Sequence, residues 1–181
     1  MIILVRPTAK DAGQIATLGN HFKIAQSMFS MPSPFLEKDA LRWIQEATES
    51  KKYDAFLIKN AQSGELMGAA DLRDIDTVNK VAEVRFWLSP NYWGSGFASA
   101  ALGRLIEVSF INHGLNRLYG YHMANNPKSA KTVKKAGFIK EGTLRQRMFK
   151  AGVYEDVEIW SLLKRDWKDA QTTAHHMAAA E

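Results

Sequence analysis

P-N-Y-W-G-S-G-F-A-S-A-A-L, residues 90–102, is the tract on which the reading of this chain turns. Its two glycines, Gly94 and Gly96, lie between a β-like segment ending at Leu88 and a helical apolar pattern starting near Phe97. Consecutive backbone N–H groups at such a junction, with no side chain in front of them and a helix dipole behind, suit a diphosphate. A short Gly-x-Gly turn ahead of a helix is also ordinary turn chemistry, so the flanking residues have to decide.

Immediately upstream, Ala82, Val84, Phe86 and Leu88 alternate with Glu83, Arg85 and Trp87, which predicts a strand with one apolar and one mixed face. Downstream, Ala98, Ala101, Leu102, Leu105 and Ile106 predict one face of a helix running to about Asn112, with His113-Gly114 as its stop. Further out, residues 2–6 read as a strand, and Thr8 caps a helix with Ala12, Ile15, Ala16 and Leu18 on its stripe. Between Phe22 and Phe35 the pattern loosens around Pro32 and Pro34 into an apolar elbow, either a loop packed on the core or the wall of an acceptor site. A helix follows over residues 37–50, then a hairpin of strands at 53–59 and 66–74. Beyond the glycine tract comes a strand from Asn116, and then N-N-P-K-S-A-K-T-V-K-K-A-G-F. There Asn126 is a natural N-cap, Pro127 the first helical residue and Gly137 a stop. Residues 138–150 and 153–163 read as two long strands joined at Ala151-Gly152. The order β-α-α-β-β-β-α-β-α-β-β predicts an α/β or α+β domain with a mixed sheet, and residues 168–181 read as a tail, frayed or disordered.

Composition narrows the function classes. A chain of 181 residues can bury one substantial core without staples, and the absence of cysteine excludes disulfides, thiolate zinc sites and a Cys nucleophile. The N-terminal apolar run is too short for a signal peptide and no window of ~18 apolar residues exists, so the expectation is a soluble cytoplasmic protein that engages no membrane. A net charge of +5, spread along the chain, suits anionic ligands without requiring nucleic acid.

The tracts W-L-S-P-N-Y-W-G-S-G-F-A, N-P-K-S, A-G-F, E-G-T-L-R and D-V-E-I-W-S-L-L, in this order and spacing, resemble the Gcn5-related N-acetyltransferases (GNAT), in particular the ribosomal-protein N-terminal acetyltransferase branch. The chain lacks G-x-x-x-x-G-K-S/T and the acidic-tailed G-x-G-x-x-G of a dinucleotide fold. The resemblance implies one domain over residues 1–167, with a mostly antiparallel sheet of about seven strands splayed at the cofactor site. It implies acetyl-CoA as cosubstrate and no metal. The backbone of Gly94, Ser95, Gly96, Phe97 and Ala98 would cradle the pyrophosphate, and the strand end at Trp87 and Leu88 would hold the pantetheine arm. Asn126 and Ser129 match positions beside that arm, and Trp93 stands where the family usually has Arg or Gln.

Acyl transfer to an amine needs oxyanion donors, a proton for the thiolate and a base. A backbone N–H near Leu88 suits the first. The tyrosine that many members use as acid is Val133 here, and the resemblance to the ribosomal-protein branch implies Ser129 as the acid, its other reading being a first-turn helix residue. Glu83 is the candidate base, or merely the partner of Arg85; the glutamate base of the ribosomal-protein branch aligns with Met148. Lys128, Lys131, Lys134 and Lys135 form a solvated helix face or a site for the nucleotide's 3′-phosphate. The expected reaction is direct attack in a ternary complex by a monomer or homodimer, on a protein N-terminal α-amine. The alternatives are a small amine (polyamine, amino acid derivative, aminoglycoside) or a silent acyl-CoA-binding module.

Overall fold

The computed structural model describes residues 1–29 and 31–178. Among these, seven strands form one sheet: β1 (Ile2–Val5), β2 (Asp54–Asn60), β3 (Leu66–Asp76), β4 (Val81–Leu88), β5 (Arg117–Met123), β6 (Ile139–Lys150) and β7 (Val153–Leu163), in the order β1-β2-β3-β4-β5-β7-β6. All neighbours are antiparallel except β4 and β5. The expected mixed, mostly antiparallel architecture is the one found.

Both faces of the central part of the sheet are covered, while β6 at its edge is mostly exposed. On one lies α4 (Phe97–Glu107), whose Ala101, Leu102, Leu105 and Ile106 are buried against Val84, Leu88 and Leu118. Each such leucine contributes roughly 1.5–3 kcal/mol by leaving water. On the other face, α1 (Ala12–Gly19) and α3 (Glu37–Glu49) bring Ile15, Ala40 and Ile44 onto Leu57 and Leu66, with Trp87 at the margin. The alternation read in β4 thus serves two cores: even-numbered residues face α4 and odd-numbered ones face α1 and α3.

Several boundaries differ from the sequence reading. The elbow contains a short helix, α2 (Phe22–Ser27), which His21 caps through the Lys23 N–H. The helix expected to run to Asn112 changes to a wider π turn over Val108–Asn112, with Ser109 bonding back to the Leu105 carbonyl at 2.6 Å. The tail expected to be frayed from residue 168 is helical, α6 (Lys164–Ala178); residues 179–181 lie outside the described residues. Trp167 anchors this helix on Phe110 at 5.4 Å between ring centres, and Lys164 donates to the Phe110 carbonyl at 2.8 Å. Those partners are more than fifty residues away in sequence, so a search for local caps does not find them.

The feature that shapes the site is where the sheet parts. β4 and β5 pair only at Val81↔Arg117, Ala82↔Leu118 and Glu83↔Tyr119, while β4 stays on β3 up to Leu88 and β5 stays on β7 up to Met123. At the vertex Gly120 lies so close to β4 that a Cβ there would stand 3.1 Å from the Val84 carbonyl. Beyond it the strands diverge as a V, the splay that the resemblance implies.

Candidate active site

Past Glu83, the edge of β4 that faces β5 has no strand partner among the described residues. Ser89 still donates to the Met67 carbonyl at 2.9 Å, so by the alternation of an antiparallel ladder the N–H groups of Phe86 and Leu88 point the other way, into the V. The V opens into a cleft of about 820 Å³, a size suited to a cofactor-like ligand. Its walls include Trp87, Leu88, Trp93, Gly94, Ala98, Asn126 and Ser129, which the sequence had picked out from separate tracts.

The glycine loop leaves its main chain bare. Gly94 and Gly96 adopt φ of 81° and 80°, conformations natural to glycine, and among the described residues nothing beyond their chain neighbours lies within 4 Å of where either Cβ would be. Gly96 is the N-cap of α4, so the helix begins with its free N–H groups directed at the loop. Trp93 folds back across the strand end, and its indole donates to the Leu88 carbonyl at 2.8 Å. The Lys128 ammonium lies over the same ring, 5.9 Å from its centre. Trp93 therefore braces the loop against β4, a role its identity alone does not announce. Ser95, Gly96 and Phe97 shape this turn without lining the cleft; Phe97 packs edge-on to Tyr92.

The opposite wall is α5 (Pro127–Lys135) with β5 beneath it. Asn126 accepts the Ser129 N–H at 3.1 Å, which fixes the first turn and leaves the Ser129 side chain on the cleft. Val133 also lines the cleft, while of the four lysines of α5 only Lys128 does.

On the α3 side of β4 lies a polar island absent from the sequence reading. Asp71, buried in β3, accepts from Trp43 Nε1 and Tyr53 Oη at 3.0 Å each and from Arg85 Nε at 3.1 Å, with Arg73 Nε at 3.4 Å. Burial lifts its pKa to about 6 against the pull of Arg73 and of the Trp43 and Tyr53 donors. The expected alternative for Glu83, pairing with Arg85, meets this island: Arg85 is engaged by Asp71. Glu83 itself sits at the vertex opposite Tyr119, outside the cleft lining. Burial first, then the charges of Asp71 and Asp74, push its pKa up to about 7. A hollow of about 370 Å³ opens on this face, bounded by Met31, Phe35, Trp43 and Asp71, and it shares Met28, Arg85 and Trp87 with the cleft. The apolar elbow is thus a wall: Met28 and Phe29 border the cleft, and Phe29 packs on Tyr121 at 6.3 Å. Lys150, at the end of β6, ties that wall to the far hairpin by donating to the Ala25 and Met28 carbonyls.

A bare Gly-x-Gly backbone before a helix, beside a parted pair of strands with unpaired N–H groups, is a fit for a pantetheine arm ending in a diphosphate. Comparison with known proteins agrees. The family model described as an acetyltransferase (GNAT) domain matches residues 2–139. The chain belongs to the GNAT family. A putative ribosomal N-acetyltransferase, YdaF of Bacillus subtilis, is 29% identical over 88% of this chain and 89% of its own length. A spermidine N(1)-acetyltransferase of Vibrio cholerae is 30% identical over 85% and 88%. The fold matches the crystal structure of the Vibrio cholerae spermidine N-acetyltransferase in complex with CoA and spermine, with a TM-score of 0.84, 24% identity, and 92% and 97% of the two chains covered. This GNAT protein is an acetyl-CoA-dependent N-acetyltransferase that acts on an amine. Among its described residues no helix is long and apolar enough to cross a membrane.

Two groups at this site escaped the sequence reading. Lys150 sits on a strand end that looks like a hairpin terminus. His122, in the middle of β5, lines the cleft with its Nε2 buried and without a hydrogen-bond partner among the described residues. Neither has a local sequence signal; each is brought to the cleft by strand pairing.

Proposed function

We propose that this enzyme acetylates the α-amine of a peptide or protein N-terminus. The observation that carries the reading is the charge of the cleft: among the described residues Lys23, Lys128 and Lys150 line it against the single carboxylate Glu155, while Arg85, also at its wall, is held by Asp71. A polyammonium acceptor finds little there to neutralise it, whereas a peptide brings one amine and often acidic residues behind it. Proton chemistry points the same way. Freeing an α-amine of pKa ~7.8 at pH 7 costs about 1.1 kcal/mol, against about 4.6 for an alkylamine of pKa ~10.4.

In this reading the Gly94–Ala98 main chain and the α4 N-terminus hold the diphosphate, and the Phe86 and Leu88 N–H groups hold the arm and the developing oxyanion. Glu83, titrating near 7, takes the amine's proton directly or through water from the α3 side of β4. Ser129 donates a hydrogen bond to the sulfur. The second reading, a polyamine acceptor, is favoured by the carboxylates behind β4, Asp71, Asp74 and Glu83, and by the spermidine acetyltransferases among its relatives. A panel of acetyl-CoA with acidic and neutral N-terminal peptides, spermidine and free amino acids, read by thiol release and product mass, separates them. Peptide kcat/KM at least tenfold above that of spermidine is expected; the reverse order would overturn the peptide reading.

A further inference from the structure

We propose that His122 delivers the proton that turns the departing CoA thiolate into the thiol, with Glu158 beside its imidazole as the counter-ion. The inference rests on the acetyl-transfer reading of the cleft and adds a residue to it. Placement comes first. Gly120 abuts Val84 at the vertex, and β4 and β5 run parallel there, so two residues further along each strand His122 stands across the V from Phe86. Phe86 carries one of the N–H groups that point into the V, so His122 lies level with the place where the thioester has to be held for attack.

The ring is built into this position. It is 6% exposed and packs on Trp160 with 5.7 Å between centres. Nδ1 lies 2.9 Å from the Met123 carbonyl, which can only accept, so Nδ1 carries a hydrogen. That leaves Nε2 as the working nitrogen, and it is the atom buried without a partner. Buried polar atoms are normally satisfied, and an orphan in a substrate cleft is accounted for when the substrate supplies its partner. Glu158 Oε2, 3.6 Å from Nε2, is too far for a hydrogen bond and stands beside the ring as its nearest carboxylate partner across the β5–β7 ladder. Glu158 is itself held in the ionised form by Lys140 at 2.6 Å. The other charged groups around the cleft are Arg85 on β4, Lys23 on α2, Lys128 on α5, and Lys150 and Glu155 near the β6–β7 turn.

Chemistry supplies the need. Val133 offers no donor, and a serine hydroxyl such as Ser129 is far too weak an acid to surrender its proton at neutral pH, though it can donate a hydrogen bond. As the amine nitrogen forms its bond to the acetyl carbon and the C–S bond breaks, the electron pair leaves on sulfur, and the proton of Nε2 moves to it. The amine's proton goes to Glu83 or water, and neutral His122 regains a proton from water once CoA has left.

The test uses CoA alone as its first probe, so that it does not depend on the acceptor. The ultraviolet band of the bound thiolate, followed against pH, reports how readily the bound thiol ionises. In the wild type, ionisation is expected at least tenfold more readily than in His122→Gln, while CoA affinity changes less than threefold. Turnover adds a second readout. His122→Gln is expected to lower kcat about 10²-fold with KM for acetyl-CoA unchanged, and to remove the fall of kcat at alkaline pH. Ser129→Ala is expected to lower kcat but keep that fall, and Glu158→Gln to move it to lower pH. Should His122→Gln not fold, the displacement in Glu158→Gln decides alone. Identical thiol titrations, or an alkaline limb untouched by both variants, would overturn the role of His122 and leave the cleft reading intact. Failure of the wild type to bind CoA would overturn the cleft reading itself.

Discussion

The two walls of the cleft are made of different material. The β4 wall and its loop present main chain: the N–H groups of Phe86 and Leu88, and the bare backbone at Gly94. The β5–α5 wall presents side chains: His122, Asn126 and Ser129. A main-chain wall is indifferent to most substitutions, because its donors belong to every residue; it fails only where a Cβ obstructs the approach. A side-chain wall fails at each residue, but only in the step that residue serves. Binding should therefore break at the first wall and turnover at the second.

The largest effect should come from obstructing the main chain. Gly94→Glu forces a non-glycine residue into φ of 81° and puts a carboxylate where a diphosphate has to sit. CoA affinity measured by calorimetry is expected to fall more than about 100-fold, or roughly 2.7 kcal/mol, with the circular dichroism spectrum unchanged. An affinity within threefold of wild type would show that the loop is not the anion site, and the contrast between the walls would collapse.

The same contrast explains what could be read in advance. The β4 strand and its loop were legible because their information is local: seven alternating residues, two glycines and a helix stripe are contiguous in the chain. The cap at Asn126 was legible for the same reason. His122, Lys150 and the Asp71 island were not, because their partners come from β7, α2 and α3, tens of residues distant. In sequence His122 is one more residue of a strand, and only the pairing His122↔Glu158 gives it a counter-ion. The helix at Lys164–Ala178 escaped for a similar reason, its anchor Phe110 lying on a different element.

Glu83 offers an intermediate effect, and its sign separates catalysis from structure. Its carboxyl titrates near 7 in the fold against an ordinary value of 4.5, chiefly through burial. Between those two values the native state holds a proton that the unfolded chain has lost, so stability falls as pH rises through that window. Glu83→Gln carries no charge to bury. It is expected to raise stability at pH 8, by at most about 3 kcal/mol, and to make little difference below pH 4. If Glu83 is the base, the same variant loses about 10²-fold in kcat/KM, together with the rise of kcat/KM through pH 7. A lower melting temperature at pH 8 with an equal rate loss at every pH would instead make Glu83 structural.

The smallest effect tests how the main-chain wall is held in shape. Trp93 is half of a brace: its indole N–H bonds the Leu88 carbonyl at 2.8 Å, and its ring carries the Lys128 ammonium. Trp93→Phe removes the hydrogen bond while keeping an aromatic surface for the cation. One net hydrogen bond is worth about 1 kcal/mol, so KM for acetyl-CoA is expected to rise roughly fivefold with kcat unaltered. Lys128→Ala removes the cation but leaves the brace. It should weaken CoA and its 3′-dephospho form by equal, few-fold factors, because Lys128 sits by the loop that faces the diphosphate. A loss confined to CoA would move Lys128 to the 3′-phosphate, and a fall in kcat for Trp93→Phe would mean that the strand end at Leu88 acts in the chemical step as well as in binding. In that case the division of labour between the walls would hold for the loop but not for β4.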